Sequence, residues 1–278
     1  MKLITTNDQL RSYVPNILIE VQGEVPLYDK LRHHLRVQED VFNRDICDID
    51  VLLAYNIETL TEYARTYVAL RTLYFGLSEL DVILTPNGFG VVSNQTIAPA
   101  SKERVASLSK SIAVFINQSW RTLYYNLTRL TDWATEQPQG QLNACTVYGP
   151  SIVFDLRQQE DVEAWPRLLP VLRDIEAEIS EKAVSPALMT NLRLQTYPDT
   201  MPTLNRGHFM NQLNLMVRRL TRRLVEGEPL NVTTELGNIV QYLRTNSEAF
   251  VDWSQSEQAK LWEPVVFENK KDNRAYWM

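Results

Sequence analysis

The chain has 278 residues, 28 basic and 34 acidic side chains, a formal net charge of −6 and 44% hydrophobic residues. That length holds one large domain or two ordinary ones, the balance excludes disorder over most of the chain, and the acidity disfavours whole-protein attraction to DNA or an anionic membrane. Two cysteines, Cys47 and Cys145, exclude a disulfide framework or a cysteine-based zinc site, and no apolar run reaches the roughly 18 residues of a membrane span.

Met1 to Ile4 is followed at once by polar Thr5-Thr6-Asn7-Asp8. No signal-peptide core forms there, and the expected location at synthesis is the cytoplasm. Leu3 to Thr5 reads as a short extended piece, and Thr6 or Asn7 caps a brief helix through Leu10, Val14 and Ile17, which Pro15 breaks early. Leu27, Leu31, Leu35 and Phe42 mark one face of a second helix. Leu53, Ile57, Leu60, Ala64, Tyr67 and Tyr74 predict a third, from about Ile49 to Leu77.

Asp81 to Thr85 is β-prone, Pro86-Asn87-Gly88 is turn chemistry, and Phe89 to Ser93 is β-prone again, so a hairpin is predicted over 81–93. A long helix follows, begun near Pro99 and running to about Thr135. Ile112, Ile116, Trp120, Leu123 and Leu127 belong to its stripe, the strongest in the chain. Gln137-Pro138-Gln139-Gly140-Gln141 is the best linker candidate. It divides the chain into an N-terminal helical region, 1–137, and a C-terminal one, 142–278, which are either separate domains or one shared core.

Beyond the linker, Ser151 to Phe154 is β-like. Val162, Trp165, Leu169, Leu172, Ile175 and Ile179 form a helical face with a break at Pro166 and Pro170. Asn205 to Val225 reads as a helix with an Asn205 cap and Gly227 at the C-terminal position that favours glycine. Another runs from about Thr234 to Trp253, and 265–278 reads as a second hairpin. The predicted fold is mainly α, an antiparallel bundle-like helical body with two short β-hairpins, about 81–93 and 265–278.

No set of residues in the sequence converges on catalysis. Gly88-Phe89-Gly90 lacks the lysine of a phosphate loop and the third glycine of a dinucleotide fingerprint. Asp45, Cys47, Asp48 and Asp50 cluster, but an EF-hand begun at Asp45 would need glycine where Asp50 stands and glutamate where Asn56 stands. A carboxylate-rich helix N-terminus explains them better. His33, His34 and His208 lack the spacing of a zinc hydrolase. Two surfaces remain as partner contacts: Asn87, Gly88, Phe89 and Gly90 at the hairpin tip, and the ridge Arg218, Arg219, Arg222 and Arg223. The ridge is read either as a solvated helix face or as a patch for an acidic subunit or passing nucleic acid.

The run from Leu84 to Val105, with Leu3 to Leu10 and Phe267 to Asn273, resembles an uncharacterised family found in Bacteroidales genomes and their prophage-like gene clusters. The chain is similar, more weakly, to the head–tail connector proteins of tailed phages. That resemblance implies a non-enzymatic assembly protein of a phage or prophage-derived particle, a head–tail adaptor located in the virion. Its partners would be copies of itself or neighbouring portal and tail proteins, with nucleic acid only as a lumen contact. Neither a cofactor, a metal, a membrane nor a small-molecule substrate is expected. The alternative is a cytosolic helical scaffold that binds a host protein.

Overall fold

The computed structural model describes residues 1–14, 25–80, 82–85, 88–91, 101–144, 148–194, 201–229 and 232–263. Two compact units divide the chain, Met1–Arg173 and Asp174–Met278.

The first unit opens with α1 (Asn7–Tyr13), capped by the Thr6 side chain, which accepts from the Gln9 N–H. Helices α2 (Leu27–Lys30) and α3 (Arg32–Asp45) follow. Leu27, Leu31, Leu35 and Phe42 all turn inward, as their spacing requires. The single helix expected over 49–77 is two, α4 (Ile49–Ala54) and α5 (Glu58–Gly76). Asn56 between them takes φ 52°, a left-handed conformation that asparagine tolerates better than most residues. Helix α6 (Lys102–Leu127) starts at a Ser101 cap rather than at Pro99.

Helix α5 packs along α6, and α3 packs on α5. Aromatic rings fill the space between them: Tyr67 lies 5.7 Å from Trp120, Trp120 5.7 Å from Tyr124, and Tyr124 5.6 Å from Trp165. Ring pairs at such separations attract beyond their area of burial. Tyr63, Phe115 and Tyr125, on the same helices, face outward.

The expected antiparallel bundle with two β-hairpins is corrected. The protein is mainly helical, and two hairpins are not supported. Residues 265–278 lie outside the described residues. Between α5 and α6, the strands β1 (Val82–Thr85) and β2 (Gly88–Val91) form four antiparallel pairs, from Val82↔Val91 to Thr85↔Gly88. A two-stranded ladder this short has little stability of its own, so helix packing sets the architecture.

The stretch read as a linker is also helical. After α7 (Thr131–Thr135), residues Pro138–Asn143 form α8, which lies within the first unit rather than between units. Gly140 lets it approach α7: a Cβ at that position would stand 1.7 Å from the Trp133 carbonyl oxygen. Gln139 of that stretch, with Asn143 and Trp133 on either side of it, is a hydrogen-bond donor. Gln139 Nε2 donates to the Asn43 carbonyl at 3.0 Å, Asn143 Nδ2 to the Asp45 carbonyl at 2.6 Å, and Trp133 Nε1 to the Ile46 carbonyl at 2.9 Å. These are carbonyls at the end of α3, where a helix runs out of partners of its own.

Ser151 to Phe154, expected as β, lies in α9 (Ser151–Asp155). Helix α10 (Ala164–Ile179) runs without a break, with Pro170 inside it, although proline forfeits a backbone hydrogen bond there.

In the second unit a wide turn, Ser180–Val184, leads through Ser185 to α11 (Pro186–Leu194). The remaining helices are α12 (Thr203–Val225), α13 (Thr233–Thr245), α14 (Val251–Ser254) and α15 (Glu257–Leu261). The helix expected to reach Trp253 therefore ends at Thr245. Phe209, Tyr242 and Phe250 form an aromatic knot with ring separations of 5.2 to 6.3 Å. Trp253 Nε1 donates to the Ala183 carbonyl at 2.6 Å. Gly227 stands at φ 82° beyond the end of α12, where its missing Cβ removes the strain. Among the described residues no helix is long and apolar enough to cross a membrane.

Candidate functional site

Helix α12 is the clearest surface feature. Its inner face is apolar: Phe209, Leu213, Met216, Val217 and Leu220 are buried. The helix starts at Thr203, with Pro202 before it, so Asn205 is not its cap. Asn205 instead donates through Nδ2 to Asn246 Oδ1 at 2.8 Å and accepts from the Tyr242 hydroxyl at 3.1 Å through its carbonyl, tying α12 to the end of α13.

The 23 residues of α12 carry five arginines and no carboxylate, within a chain of net charge −6. The last turn is a favourable place for cations, next to the negative end of the helix dipole. The four predicted arginines divide into two pairs. Arg219 Nη1 meets Glu235 Oε2 at 3.0 Å, and Arg223 Nε meets Glu228 Oε2 at 2.6 Å. Arg218 and Arg222 make no ion pair among the described residues, and Arg222 is exposed. An uncompensated guanidinium pair on a rigid helix is a ready binder of carboxylates.

The other predicted contact residues belong to a different part of the chain. Asn87 lies outside the described residues, and Gly88, Phe89 and Gly90 are in β2 of the first unit, whereas the arginines belong to the second.

Groups that could suggest chemistry in the first unit have structural roles. Asp48 caps α4 by accepting from the N–H groups of Asp50 at 2.8 Å and Val51 at 3.1 Å. Asp45 is engaged by Arg44 at 2.6 Å. His34 Nε2 lies 2.9 Å from Glu79. Among the described residues no group of three His, Cys, Asp or Glu could hold a metal ion.

A cavity of about 330 Å³ opens beside Tyr67, Arg71, Asn117, Trp120, Glu163 and Trp165. Its charges answer one another. Arg71, 8% exposed, donates to Gln38 Oε1 at 2.9 Å and to the Tyr67 hydroxyl at 3.3 Å, and pairs with Glu163 at 3.3 Å. This interior arginine holds α5 to α3 and to the segment before α10. Sequence patterning did not single it out, because arginine on a helix is ordinarily solvated.

Cys47 is buried, with its thiol near Gln137 Oε1 at 3.4 Å. Burial, with help from the charges of Asp48 and Asp132, pushes the thiol pKa up to about 12. A protonated, enclosed thiol is a poor nucleophile. Site-resolved alkylation at pH 8 is expected to label Cys47 at least about a hundredfold more slowly in the native protein than in urea. Equal rates would refute its enclosure. Because the folded pKa lies above the unfolded one, raising the pH from about 9 toward 12 ionises the unfolded chain first and destabilises the fold.

No curated protein and no solved structure matches the chain. Residues 23–131, which take in β1, β2 and most of the first unit but none of the α12 arginines, are similar to a family described as a family of unknown function (DUF6712).

Proposed function

We propose that the chain is a non-enzymatic assembly protein of a phage or prophage-derived particle, a head–tail adaptor that acts through subunit–subunit contacts. The observation that carries the reading is the cationic outer face of α12, with Arg218 and Arg222 left without counter-ions among the described residues. In an acidic chain, such a face is a localised recognition surface rather than a general attraction to anions. The likeness of Leu84 to Val105 to a prophage-associated family supports the particle as the setting. Portal and tail proteins are then the partners, and the virion is the final location.

Co-expression with the portal protein of the same particle tests this. A complex larger than either component is expected on size-exclusion chromatography, and the double variant R218E/R222E is expected to elute free of it. A chain that stays separate from portal and tail proteins alike would sink the adaptor role.

A further inference from the structure

The outer face of α12 has a second property. Leu204, His208, Asn211, Leu215, Arg218 and Arg222 follow one another in alternating steps of four and three residues. That is the spacing of a coiled-coil seam, which keeps its members on one line of the helix. None of the six is buried, and the two leucines are 71% and 45% exposed. Beside Leu215 runs a groove of about 620 Å³ between α12 and α13, with Met216, Ile239 and Tyr242 in its lining. Its α13 bank presents Asn238, Gln241 and Thr245, which are exposed and uncharged. Two exposed leucines on a line of heptad spacing, an adjacent groove crossed by the Arg219–Glu235 ion pair, and two arginines on the seam with no ion pair among the described residues together describe a seat for a helix.

From this geometry we infer that the α12–α13 groove receives an amphipathic helix of another protein, with leucines on the seam and carboxylates opposite Arg218 and Arg222. This rests on the reading of the chain as an assembly protein and names the chemistry of its partner. Charge selects the occupant. A second copy docking through the same face would set arginine-rich helices against each other, which like-charge repulsion opposes. Nucleic acid would satisfy the arginines but offers a phosphate backbone to Leu204 and Leu215. The distribution along the seam also sets direction. Its first half carries neutral or weakly basic Leu204, His208 and Asn211, and the arginines lie in the second half, so the carboxylates of the incoming helix belong at one end.

A labelled synthetic helix of about four heptads, with leucine on the seam and glutamate flanking it, is the probe. Titrated with the full-length protein, it is expected to bind by fluorescence anisotropy. R218E/R222E should weaken binding at least about tenfold, and a lysine-for-glutamate peptide should bind the double variant in its place. Neither arginine is part of the core, so the variant keeps its helical circular dichroism. Absence of binding, or equal binding by the two protein forms, overturns the inference. Duplex DNA that displaces the peptide at equal concentration also overturns it, as does a dimer of the chain that R218E/R222E abolishes. The probe contains no virion protein. Peptide binding without a portal complex would therefore retire the adaptor role alone, and a portal complex without peptide binding would retire the acidic helix alone.

Discussion

Replacing Glu39 with alanine is expected to destabilise the first unit by about 3–5 kcal/mol, the range for removing one member of a buried charged network. Glu39 is 5% exposed and accepts three consecutive backbone N–H groups: Lys2 at 2.8 Å on Oε2, Leu3 at 3.0 Å and Ile4 at 3.2 Å on Oε1. The segment it holds is itself interior, with Leu3 and Ile4 at 1% and 0% exposure. Alanine would leave the buried Leu3 and Ile4 donors without acceptors and the part-buried Lys2 N–H without this one, and each such buried loss costs about 1–3 kcal/mol. Glutamine is the informative control. Its carbonyl can still accept from Leu3 and Ile4, but its amide would turn a donor toward the Lys2 N–H, so about half the loss is expected. Urea denaturation of the three proteins, followed by tryptophan fluorescence, measures this. An alanine variant within about 0.5 kcal/mol of the original would show that the segment is not held by Glu39.

A comparable loss is expected from Trp133→Ala. The indole is 0% exposed, stands edge-on to Tyr124 with 6.0 Å between ring centroids, and donates to the Ile46 carbonyl. Truncating a buried tryptophan costs about 3–5 kcal/mol through lost transfer energy and the cavity left behind. The unmet carbonyl adds to that unless water enters the cavity. Trp133→Phe separates the contributions, because it fills much of the space without a donor, and about 2 kcal/mol is expected from it. If the two substitutions gave equal losses, the hydrogen bond rather than the packing would dominate.

The sequence made some elements legible because their information is local. Thr6 precedes a helix and caps it, Gly227 follows one and takes positive φ, and the stripe Ile112, Ile116, Trp120, Leu123 and Leu127 is buried throughout. Where apolar residues crowd both sides of a break, local reading joins two helices into one and chooses the wrong face. Leu53 and Ile57, placed on the buried stripe, are 37% and 39% exposed, while Leu52 and Leu60 on either side of the turn at Asn56 are buried. The amides of the apparent linker were misread for a related reason. Glutamine looks the same in solvent and in a cap, and the acceptors of Gln137 and Gln139 lie 82 and 96 residues away in sequence.

The same distinction governs the candidate surface. The arginine ridge was visible because it faces away from Leu213, Val217 and Leu220. Its division into paired and unpaired members was not, since Glu235 comes from the next helix. Interior charges such as Glu39 and Arg71 were missed because no pattern within one helix indicates a partner on another.

The closing of α3 also bears on the order in which the chain is made. Asn43, Asp45 and Ile46 leave the ribosome well before Gln139, Asn143 and Trp133, which follow by 96, 98 and 87 residues. At about 5–20 residues per second, the end of that helix waits roughly 5 to 20 s for its donors. The similarity over 23–131 stops just short of them. A fragment cut there would carry the helix without the three donors that close its end.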